Sequence, residues 1–86
     1  MSADTVALVR SAAKELKALP TWATQAVAKA LAGLKENPFP SGIKKLQGVD
    51  SIFRLRCGNY RIIYGEDTDN RSVEVFRIRH RKDAYD

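Results

Sequence analysis

The 86 residues, 44% hydrophobic and 29% charged, suffice for one small domain spanning 1–86 and leave no material for a second core. A formal net charge of +5 implies an anionic partner, either a polyanion or an acidic protein, rather than a neutral one. The lone Cys57 excludes an internal disulfide and, with a single histidine, gives no zinc pattern, so no metal or cofactor is implied. No long apolar run follows basic residues at the start, so neither a signal peptide nor a membrane span is expected, and the reading is cytoplasmic.

Thr5 to Val9 reads as an opening strand. Ser11 is a plausible N-cap for a helix whose apolar stripe is Ala12, Leu16 and Leu19. Pro20 ends that helix, because proline disfavours helical geometry in the residue before it. Thr21 can cap a second helix with the stripe Ala23, Val27, Ala30, Leu31 and Leu34, interrupted by Gly33 at a cost of roughly 1 kcal/mol. The alanines suit close packing of the two helices as an antiparallel hairpin. Trp22 reads as a core or helix-packing residue. Asn37-Pro38 stops the second helix, and Phe39-Pro40-Ser41-Gly42 is turn material.

Lys44-Lys45-Leu46-Gln47-Gly48 then leads into IFRLRCGNYRIIY, residues 52–64. Two alternating runs flank Cys57-Gly58-Asn59, the pattern of a β-hairpin. Side chains alternate across a strand, so Phe53 and Leu55 share one side, and Tyr60, Ile62 and Tyr64 share one side of the next run. Arg54, Arg56 and Arg61 fall opposite them. Three guanidinium groups on one face repel unless an anion sits there, and their forked geometry suits phosphate. The net charge is +4 over residues 43–61, where Asp50 is the sole acid. Lys44 and Lys45 either extend a phosphate track or belong to a solvated loop.

Glu66-Asp67-Thr68-Asp69-Asn70 lacks the ligand spacing of a calcium loop and reads as an exposed acidic turn. Ser72 to Arg79 forms the next strand, with Val73 and Val75 opposite Glu74, Phe76 and Ile78. In the terminal segment, His80 is the side chain type that exchanges protons near neutral pH. Arg81 adds a permanent charge, and Tyr85 a stacking ring with a hydroxyl.

Taken together, the opening strand, helical pair, Asn37-Pro38, KKLQG at 44–48, FRLR at 53–56, GNYRIIY at 58–64 and HRKDAY at 80–85 resemble the RelE/ParE toxin superfamily over essentially the whole chain. The pairing of GNYRIIY with a terminal HR…Y is the most specific part. The resemblance implies an α+β fold: an N-terminal strand, an antiparallel helical hairpin and a three-strand antiparallel meander, forming one sheet with the helices on one face. It also implies a cognate antitoxin as partner.

The RelE branch cleaves messenger RNA in the ribosomal decoding site, whereas the ParE branch poisons DNA gyrase and tends to lose the catalytic set. Carried over by position, Arg61 matches the phosphate-binding arginine, Arg81 the acid or charge stabiliser, and Tyr85 the terminal tyrosine. Arg54 and Arg56 match a basic pair that is lysine in the best-known RelE branch, and arginine is a poor general base. His80 is therefore the candidate proton carrier. Phe53 stands where many members have tyrosine. The expected protein is a metal-independent, ribosome-dependent endoribonuclease. Its catalytic set is Arg61, His80, Arg81 and Tyr85, and Lys44, Lys45, Arg54 and Arg56 hold RNA. A ParE-like gyrase poison and an RNA-binding module without turnover are the alternatives.

Overall fold

The computed structural model describes residues 2–46 and 51–80. In chain order these form β1 (Thr5–Leu8), α1 (Arg10–Lys17), α2 (Thr21–Glu36), β2 (Lys44–Lys45), β3 (Ile52–Cys57), β4 (Tyr60–Asp67) and β5 (Ser72–His80). The sheet order is β1-β5-β4-β3-β2. The meander β3-β4-β5 is antiparallel as expected, but β1 joins β5 in parallel, so the sheet is mixed. A short edge strand, β2, occupies part of what reads as loop in the sequence.

Local sequence sets most boundaries, with two shifts. The Val9 N–H still bonds the Val75 carbonyl, so the chain leaves the sheet directly into α1 and Val9, not Ser11, is its N-cap. Pro20 likewise precedes α2 as N-cap, making Thr21 the first helical residue. The Thr24 hydroxyl bonds back to the Pro20 carbonyl at 3.2 Å and fastens the corner between the helices. Gly58, at φ +59, and Asn59 make the β3–β4 connection; positive φ at the first central position is the demand of a type II′ turn, which glycine meets without strain.

One sheet face carries the core. Ala23, Val27 and Leu34 of α2 are fully buried together with Ile62, Tyr64 and Val75. Phe53, Leu55 and Cys57 of β3 pack against the same cluster. α1 contributes Ala12 and leans mainly on β5 rather than on α2. Trp22 is not a core residue. It is 64% exposed, just off the buried stripe, with its ring centroid 6.2 Å from that of Tyr60 in an edge-on arrangement.

β5 departs from simple alternation. Ile63 pairs with Arg77 but Tyr64 pairs with Val75, so Phe76 is an extra residue, a β-bulge. The bulge returns Ile78 to the buried side with Val73 and Val75, correcting the expectation that it opposes them. Phe76 lies over Gly65, where an added Cβ would stand 2.9 Å from the ring.

Tyr64 ties the sheet to the segment after α2. Its hydroxyl donates to the buried Pro38 carbonyl at 2.7 Å. Burial, and then the Glu66 carboxylate, push the phenol up to about 12. The folded chain therefore holds this proton more tightly than the unfolded chain. The stabilisation is complete below the ordinary tyrosine range near about 10, and is lost as pH climbs from there towards about 12. Tyr64→Phe leaves a buried carbonyl unpaired and is expected to cost about 1–3 kcal/mol at pH 7. Urea unfolding should show the gap to wild type narrowing above pH about 10.

Candidate nucleic-acid interface

The face away from the helices is basic at one end. Register aligns Arg56 with Arg61 and Arg61 with Arg79, a row of three arginines across β3, β4 and β5. The adjacent row on this face is Arg54, Ile63 and Arg77, and Lys44 of β2 pairs with Arg54. A shallow cleft of about 170 Å³ is lined by Gly42, Lys44, Arg54 and Arg56. Like charges directly across strands repel, and guanidinium forks match phosphate oxygens in geometry.

The far end of the sheet has the opposite sign. Thr5, Gly65, Glu66, Asp67 and Glu74 are among the lining of a second cleft of about 280 Å³. Hydrogen bonds from Asn70, side chain first and then backbone, hold the Asp67 carboxyl below its usual range. Positive charge on the sheet is therefore concentrated at the β3–β4 hairpin end.

The expected residues divide. Arg54, Arg56 and Arg61 share the open face, as the alternation required, and Lys44 joins them through its pairing with Arg54. Lys45 pairs with Phe53 and so projects to the other side. His80 pairs with Tyr60 and shares its helix-side face, their rings meeting edge-on at 5.2 Å. The sheet thus separates the imidazole from the arginines, although the two rows are consecutive, about 3.4 Å apart along the strands, at the rim of the sheet. Arg81 and Tyr85 lie outside the described residues.

Three members of the interface escape a reading by strict alternation. Arg77 and Arg79 reach the open face only because of the bulge, and Glu15 is brought there by α1. Its Oε2 lies 2.8 Å from Arg79 Nε and 3.9 Å from Arg77 Nη1, while Oε1 accepts the Ile78 N–H at 2.9 Å. The odd spacing of the apolar Val75 and Ile78, with Phe76 and Arg77 between them, would be the usable signal for the bulge. Glu15 has no local signal.

A small sheet backed by two helices is a fold shared with solved toxin structures. The family model for the ParE toxin of the type II toxin-antitoxin system parDE matches residues 6–85, and the chain belongs to that family. Over 75 residues it is 35% identical to a Methanocaldococcus jannaschii protein that carries the name RelE1, covering 84% of this chain and 83% of that one. Toxin RelE of Mycobacterium tuberculosis is 30% identical over 81 residues, 93% of this chain and 84% of the relative. The fold matches the archaeal RelE–RelB complex from Pyrococcus horikoshii OT3 at a TM-score of 0.83 and 24% identity, over 98% of this chain and 100% of that chain. Within the family the chain is a toxin of RelE type. Among the described residues no helix is long and apolar enough to cross a membrane.

Proposed function

We propose that this toxin is a ribosome-dependent endoribonuclease that cleaves messenger RNA. The observation that carries the reading is the cross-strand row Arg56, Arg61, Arg79 with Lys44 and Arg54 beside it on the open sheet face. The reaction is attack of an RNA 2′-hydroxyl on the adjacent phosphate, giving a cyclic phosphate and a free 5′-hydroxyl. The arginines neutralise charge that grows on the phosphorane. His80, at the rim one row beyond them, carries a proton to or from a phosphate bound across that rim. Arg81 supplies further charge and Tyr85 stacks on a base, the roles implied for them by the family pattern.

Mapping message 5′ ends after induction tests the reading. Cleavage within reading frames supports it; intact message with double-strand breaks trapped on gyrase would replace it with the ParE activity that the family's name denotes. The partner follows the same logic. An exposed basic face calls for an acidic neutralising protein, and the Pyrococcus horikoshii relative was solved as a complex with RelB. The protein encoded by a neighbouring gene is expected to restore growth on co-expression; unchanged arrest would remove it as the antitoxin.

The two lysines separate by face. Lys44→Ala should weaken RNA binding with a shallower salt dependence, by about one phosphate contact, whereas Lys45→Ala should leave that slope unchanged. Affinity measured between 50 and 200 mM salt, a range over which phosphate contacts are lost at roughly 0.9 log units per log salt each, distinguishes them.

A further inference from the structure

We propose that Glu15 is a positioning residue for the basic face, holding Arg79 in line with Arg61 and Arg56 for contact with an RNA phosphate. The inference rests on the RNA-cleaving reading and assigns α1 a part in it. β1 ends at Leu8, opposite Val75, so among the described residues β5 beyond that point has no strand on its outer edge. α1 fills the place, and one half-buried carboxylate meets three groups there. Oε1 takes the Ile78 N–H at 2.9 Å, and Oε2 takes Arg79 Nε at 2.8 Å with Arg77 Nη1 at 3.9 Å.

The arrangement has a chemical direction. Engaging Nε fixes the guanidinium plane, and the Nη1–Nη2 edge keeps the fork that matches two phosphate oxygens. The carboxylate also offsets the repulsion of Arg79 by Arg61, its cross-strand partner. A charge held in place before substrate arrives needs no reorganisation as negative charge develops, whereas a swinging arginine does.

Glu15→Gln separates the roles, because the amide oxygen still accepts from Ile78 N–H while the charge is gone. Removing an anion beside the basic row should leave RNA affinity equal or tighter. Single-turnover cleavage should nonetheless fall about 10-fold through lost orientation. In an Arg79→Ala background the same change should have no further effect on cleavage, since the residue acts through Arg79. Equal losses in both backgrounds, or wild-type cleavage by Glu15→Gln, would overturn the proposal. Hydrogen exchange of the Arg79 Nε–H in the protein without RNA gives a second readout, expected to quicken in Glu15→Gln; unchanged exchange overturns the proposal whatever the chain cleaves. Faster exchange with no cleavage by the wild type would instead overturn the RNA-cleaving reading and leave the Glu15–Arg79 pairing standing.

Discussion

Arg61→Ala is expected to lower cleavage of ribosome-bound message by about 10²–10³-fold, the range for loss of one preorganised charge-stabilising donor. Arg61 occupies the middle of the row, with Arg56 across one strand and Arg79 across the other. A phosphate seated at either flank still lies against it, so no neighbouring arginine can replace its position. Stability should change little, because ion pairs of partly exposed arginines contribute about 0–1 kcal/mol. Growth arrest after induction, read beside thermal unfolding of the purified variant, checks both statements. A folded, soluble Arg61→Ala protein with undiminished toxicity would count against the nuclease reading.

His80→Gln is expected to reduce single-turnover cleavage by about 10²–10⁴-fold, the usual contribution of a positioned general acid or base. Arg54 and Arg56 stay protonated and cannot exchange a proton during the reaction, so the imidazole at the end of β5 is the remaining candidate beside them. Its face adds a condition. His80 lies edge-on to Tyr60 on the helix side, so the reacting phosphate must sit over the rim by the Gly58-Asn59 turn rather than over the middle of the sheet. Single-turnover rates measured across pH 6–8 check the expected reduction. A wild-type rate across that range would take His80 out of the mechanism and leave electrostatic stabilisation by the arginines.

Much of the scaffold was legible in particular residues. Pro20 and Asn37-Pro38 bound the helix of Thr21–Glu36 because proline's constraints act within one or two residues. Cys57-Gly58-Asn59 signalled the hairpin, and its glycine adopts the positive φ of the turn at no cost. Ser11 and Thr21 misled as caps, because sheet pairing through Val9 and the fixed geometry of Pro20 had already set where each helix starts. Trp22 misled in the other sense: its size suggested burial, but a large ring one residue off the buried stripe faces outward.

That Arg54, Arg56 and Arg61 share a face could be read from residue order alone, since period-two alternation sets them opposite the apolar side of each run once that side faces the core. The sequence also determined the charge of that face and the family to which the chain belongs. Packing of the whole chain settled what stands beside the three arginines. The bulge at Phe76 shifts alternation by one residue and delivers Arg77 and Arg79 to the row, and the short β1 opens an edge that α1 closes with Glu15. It also decided that Lys45 and His80 face the other way, because each takes its side from a partner in another strand, Phe53 and Tyr60. Those pairings join residues far apart in the chain through backbone register, and register is fixed by packing the whole sheet against the helices.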